Sequence, residues 1–215
     1  ELRKGATQIK LFASGGVVFP AEGHATRYEF SEDDLSAAVE EAAARGTYVM
    51  AHVYTDEGVR RCLEAGVRSI EHANFVSEAT VEMMAEHRAF YVPTFISLVQ
   101  RVESADHELL SPTIVGNLKR TIERGRQVYG WARKHQVPIG FGTDLWGPEA
   151  QKSQLREFEM RRDLDTPAGA TAKPQPAKRP SRNAPRMVPE TAYGQERSRL
   201  PSRPSASAFP AISAA

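Results

Sequence analysis

The chain has 215 residues, 40 % of them hydrophobic, and a net charge of +1, so it is long enough to bury one domain-sized core. The near-neutral balance hides two unlike parts: residues 1–166 carry 20 Lys/Arg against 25 Asp/Glu, whereas residues 167–215 carry eight against two. A mildly acidic body argues against a nucleic-acid binder. No run approaches the eighteen or so apolar residues of a membrane span, and the single cysteine excludes an internal disulfide and points to a reducing compartment such as the cytoplasm.

The chain begins at Glu1 rather than Met, close to a first strand, and is expected to be cut at that end. Gln8 to Ala13 alternates, with Ile9, Leu11 and Ala13 on one face and Lys10 and Phe12 on the other. Two readings of Lys10 stay open. In a buried strand its ammonium is costly unless paired or chemically altered, and on an edge strand it stands in solvent. Ser14-Gly15-Gly16 makes a βα loop, with a weak capacity to cradle an anion through backbone N–H groups. Val17 to Phe30, with His24, is a long connection. Ser31, with Asp34 three residues on, caps a helix over Glu32 to Arg45 that stops at Gly46.

Tyr48 to Ala51 is a short apolar strand ending at His52. Thr55 to Ala65 has helical spacing, with Val59, Cys62 and Leu63 inside and Gly66 as the stop. Val67 to Ile70 is the next strand, ending in Glu71-His72-Ala73-Asn74. Ser77 caps a helix through His87, and Ala89 to Val92 is a strand ending in Pro93-Thr94. A long helix runs from about Pro112 to His135. Val137 to Phe141 is a fifth strand closed by Gly142-Thr143-Asp144, and Glu149 to Asp163 reads as one polar helix. Alternation of this kind builds a parallel sheet with helices packed against it, either an open doubly wound sheet or a piece of a (β/α)₈ barrel. A whole barrel needs about 250 residues, more than residues 1–166 supply. Residues 167–215 hold nine of the fourteen prolines and few large apolar side chains, a composition that predicts a disordered, basic Pro/Ala/Ser-rich tail. Such a tail either binds RNA or acidic partners or is solvated and without function.

The chemistry gathers at the strand ends. His52 and His72 end two consecutive strands twenty residues apart. In parallel α/β folds such positions converge on the face where active sites lie. A lone histidine there is more often a capping or packing residue. Two imidazoles at equivalent positions favour a metal site. Lys10 lies in the first strand, and Asp144 ends the fifth.

With these residues in place, the segments IKLFASGG, AHVYTDEGVRRCLEAGVRSIEHAN, YVPT and IGFGTDLWG resemble the metal-dependent amidohydrolase superfamily over about residues 5–165. The likeness is closest to its imidazolonepropionase-like and Xaa-Pro or Xaa-Arg dipeptidase (prolidase-type) members. The resemblance implies a partial TIM-like (β/α) barrel comprising about strands four to eight. It implies that Lys10 carries a CO₂-derived carbamate bridging one or two divalent ions, Zn²⁺ foremost, and that His52 and His72 ligate the second ion. Asp144 would bind the first ion and act as the catalytic proton shuttle. Tyr54 resembles a contact for the substrate carboxylate, with a plain rim aromatic as the other reading. The implied reaction is hydrolysis of C–N bonds in small dipeptide-like or cyclic amide substrates by metal-activated water. The family's His-x-His does not occur in this sequence, which removes two ligands of the first ion. Activity of this chain alone is therefore expected to be weak, and a non-catalytic remnant or binding module is the alternative.

Overall fold

The computed structural model describes residues 1–17, 24–104 and 110–165. The division expected at residue 166 and the tail beyond it lie outside these residues, as do residues 18–23 of the Val17–Phe30 connection. In chain order the elements are β1 (Ile9–Phe12), α1 (Glu32–Ala43), β2 (Val49–Thr55), α2 (Asp56–Glu64), β3 (Ser69–Phe75), α3 (Glu78–Glu86), β4 (Phe90–Val92), α4 (Phe95–Glu103), α5 (Pro112–Lys134), α6 (Gly147–Gln151) and α7 (Arg156–Asp165). Short 3₁₀ turns precede β1 and α1.

Local chemistry sets these boundaries. Ser31 and Asp34 form the reciprocal cap expected for α1. Thr55, Ser77 and Ser111 each accept a hydrogen bond from a backbone N–H in the first turn of α2, α3 and α5. Gly66 sits at φ +91° after α2, where a side chain would be strained.

All four strands are parallel, in the order β1-β2-β3-β4. The order follows the chain without the reversal of a doubly wound sheet, so the barrel piece is the correct choice of the two. Val49, Ala51, Val53, Ile70 and Tyr91 are buried in one cluster with Leu35, Val59, Leu63, Val81, Met84 and Val128 of the helices. Each of the Val, Leu, Ile and Met side chains among them contributes about 1.5–3 kcal/mol on burial.

Four expectations need correction. The strands that carry the histidines run past them, β2 to Thr55 and β3 to Phe75, so His52 and His72 lie within their strands rather than at the ends. The fifth strand is a single parallel bridge of Ile139 to Tyr91. Pro138 has no N–H to donate, and β4 stops before Pro93, so the ladder consists of Tyr91 N–H to Pro138 O (2.9 Å) and Gly140 N–H to Tyr91 O (2.8 Å). The approach is close: a Cβ at Gly142 would lie 2.6 Å from Val92 Cγ1. Next, α4 was not foreseen. Its run of Phe95, Ile96, Leu98, Val99 and Val102 is rich in β-branched and aromatic residues, and no side chain caps it from its own N-cap position. Finally, the single helix expected from Glu149 to Asp163 is two, α6 and α7, separated by turns over residues 152–155.

Candidate functional site

β1 lies at one edge of the described sheet, and Lys10 is exposed on it. Lys10 and Phe12 share a face with Met50 and His52, their register partners on β2. Phe12 packs against His52, ring centroids 4.6 Å apart. On this face His52 Nδ1 lies 2.9 Å from His72 Nε2 of the neighbouring strand. Both imidazoles are buried.

Simple alternation would not bring them together. Glu71 is the register partner of His52, so the next residue should point to the opposite face. The ladder instead slips: Val53 pairs with His72, but Thr55 pairs with Phe75, one residue further along β3. This bulge coincides with left-handed backbone at His72 (φ 73°) and Ala73 (φ 47°). Thr94 (φ 50°) and Asp144 (φ 51°) are left-handed as well. Strained backbone of this kind concentrates where side chains must be aimed rather than merely packed.

The surroundings fix both rings. His72 Nδ1 is 2.7 Å from Thr94 Oγ1. Tyr54 stacks on His72 at an interplanar angle of 10° and meets His52 edge-on. Burial, and then the Lys10 ammonium, lower the His52 pKa to about 4. Burial, then His52 and Lys10, hold His72 well below its ordinary value. Both rings are therefore neutral near pH 7, the form that ligates metals. His52 Nε2 is buried without a hydrogen-bond partner among the described residues.

A cavity of about 590 Å³ opens beside this pair, lined by Lys10, Phe12, His52, Tyr54, Arg101 and Asp144 among others. The Ser14-Gly15-Gly16 loop is buried against it. Burial, then the Asp144 carboxylate, push the Tyr54 hydroxyl above its ordinary pKa. Thus Lys10, His52, Tyr54 and Asp144 share one cavity wall, and His72 lies behind them against His52 and Tyr54. Among the described residues no three His, Cys, Asp or Glu side chains stand close enough to hold a metal on their own.

The donor set nevertheless fits a divalent ion. Two neutral imidazoles turn nitrogens toward each other at 2.9 Å, and a third polar group, Thr94, holds the far nitrogen of one. Sequence reasoning missed Thr94 as a functional residue, although it closely follows the end of β4. It also missed Arg101 and the buried Glu71, whose carboxyl is raised by burial while Ser69 Oγ donates to it at 2.6 Å.

A sequence profile described as the amidohydrolase family matches residues 1–207, a longer span than the one on which the motif likeness rests. Ochratoxinase from Aspergillus niger is 33 % identical over 172 residues, covering 79 % of this chain and 35 % of that protein. A prolidase complexed with N-methylphosphonate-L-proline superposes with a TM-score of 0.69 at 40 % identity, over 76 % of this chain and 40 % of that one. A Xaa-Pro dipeptidase with methionine bound in its active site gives 0.64 at 29 % identity, over 78 % and 41 %. The chain thus spans 35 % of the ochratoxinase length.

Proposed function

This chain belongs to the amidohydrolase family, and from that premise we propose that it uses a divalent metal, Zn²⁺ first, to hydrolyse C–N bonds of small amide or dipeptide-like substrates. The observation that carries the reading is the His52–His72 pair, neutral, buried and facing nitrogen to nitrogen beside Lys10 and Asp144. His52, His72, Lys10 as its carbamate, and Asp144 would hold the ion. When bound, it supplies Lewis acidity to a carbonyl and to water.

The chain's own residues do the remaining work. Thr94 and Tyr54 keep the imidazoles in one orientation. Asp144, half-exposed on the cavity wall, is placed to take a proton from the attacking water and return it to the leaving nitrogen. Arg101 and Tyr54 line the same cavity and suit a substrate carboxylate, while Phe12 and Leu98 offer apolar walls. The prolidase relative's phosphonate–proline ligand carries such a carboxylate.

The test is a panel of dipeptides and N-acyl amino acids, with binding of N-methylphosphonate-L-proline measured alongside. Zinc-dependent release of amino acid, cut about 10²- to 10⁴-fold in Asp144→Asn, is expected. Turnover indifferent to zinc or to Asp144→Asn overturns the mechanism. Phosphonate binding without any turnover selects a non-catalytic binding module.

A further inference from the structure

Thr94 precedes α4 at the position where a threonine hydroxyl ordinarily caps the helix, and here it makes no such bond. Its hydroxyl is turned instead to His72 Nδ1, 2.7 Å away, and its backbone is left-handed at φ 50°. That leaves the first N–H groups of α4 in need of another acceptor. The acceptor comes from far along the chain: Ile96 N–H donates to Glu157 Oε2 of α7 at 2.8 Å. Glu157 is fully buried, at 0 % exposure. A buried carboxylate at this place requires a partner, and Arg161, one turn on in α7, donates through Nε to Glu157 Oε1 at 2.9 Å. The same guanidinium donates through Nη1 to Gly140 O at 2.8 Å, on the segment that leads to Asp144.

We propose that Glu157 is a positioning residue of the His52–His72 site: Glu157 caps α4 in place of Thr94, leaving the Thr94 hydroxyl turned to His72, and Arg161 is the partner that holds the buried carboxylate in place. The metal-binding part of this inference rests on the function proposed above, but the hydrogen-bond exchange does not. Without Glu157, the Thr94 hydroxyl has a competing demand, the open N-terminus of its own helix. An outer partner of a metal-ligating histidine typically governs affinity by 10- to 100-fold.

The experiment measures two quantities on the full chain, under conditions where urea melts show each variant folded. One is the ¹⁵N chemical shift of His72 Nδ1 without metal, which reports its hydrogen bond in either tautomer. The other is the Zn²⁺ dissociation constant. Glu157→Ala is expected to move the His72 Nδ1 shift toward its value in Thr94→Val and to weaken Zn²⁺ about 10- to 100-fold. Glu157→Gln, which keeps an oxygen for Ile96 N–H, should recover most of both. The double variant Glu157→Ala/Thr94→Val should bind Zn²⁺ no more weakly than Thr94→Val alone, because both act through one contact. A wild-type His72 shift in folded Glu157→Ala, or fully additive losses in the double variant, overturns the proposal and leaves the ion pair a purely structural one. If Glu157→Ala does not fold, Glu157→Asp, one methylene shorter, should show the same displacement in smaller measure, and no displacement overturns it. If the wild type binds no Zn²⁺, the metal reading falls while the His72 shift still decides the capping exchange.

Discussion

A buried histidine must satisfy two ring nitrogens, and His72 does so with Thr94 on one side and His52 on the other. Tyr54 closes the remaining face by stacking, and its own exposure is only 4 %. The ring and the hydroxyl of Tyr54 therefore have separable roles. Tyr54→Ala removes the stack and is expected to cost about 3–5 kcal/mol, read from urea unfolding. Tyr54→Phe keeps the stack, so stability should stay within about 1 kcal/mol. If the hydroxyl meets the substrate carboxylate, KM should rise about tenfold with kcat unchanged, the pattern of an interaction equal in ground and transition states. An unchanged KM would make Tyr54 a rim aromatic only. His52, His72 and Asp144 were legible in the sequence because each follows a short apolar run that reads as a strand. Glu157 and Arg161 were not. Charged residues at i and i+4 on a helix read as a solvated pair, and only the tertiary fold shows α7 burying them against α4 and Gly140.

Among the elements, the helix starts carry information of the same kind. Asp56, the first residue of α2, accepts from Ser77 N–H (2.6 Å), Ser77 Oγ (2.9 Å) and Thr80 Oγ1, so it joins the N-termini of α2 and α3. Burial alone would raise its pKa, but the bonds from Ser77 and Thr80 outweigh that and hold it below the ordinary aspartate value of 3.8. A depressed carboxyl stabilises the fold fully above its unfolded value and loses that contribution as pH falls through the folded one. Asp56→Asn should therefore cost about 1 kcal/mol near pH 7, partial exposure keeping it low in the charged range. The wild-type advantage should vanish in acid. A variant equally destabilised above and below pH 3.8 would show that the charge of Asp56 contributes nothing. α5 packs more tightly still. A Cβ at Gly125 would come within 2.5 Å of Asn74 Nδ2, which is committed to Thr121 O at 3.1 Å, and within 3.1 Å of Phe95. Gly125→Ala is expected to destabilise by about 1–3 kcal/mol through overpacking, although exposed helical positions usually gain from that change. The periodicity of α5 was plain in the sequence. The reason for its glycine was not, because it lies in Asn74, fifty-one residues earlier.

At the scale of the molecule, the alternation of strands and helices told the fold class, and the sequential strand order bears it out. The fifth strand was overread from its apolar run, since Pro138 and the flanking glycines limit its pairing to one bridge. The likeness to amidohydrolases and to prolidase-type members agrees with the matched family profile and with the solved prolidase and Xaa-Pro dipeptidase structures. No helix among the described residues is long and apolar enough to cross a membrane. What neither the strand pattern nor the family likeness supplies is the geometry of the His52–His72 pair, which goes with the bulge at His72 and Ala73. The most direct test is the metal content of the purified, folded chain after reconstitution with Zn²⁺ and bicarbonate. The account predicts bound zinc at one or more equivalents per chain, lost in His72→Ala while the fold persists. Folded wild-type protein that retains no zinc above buffer, or zinc that His72→Ala leaves in place, would contradict it.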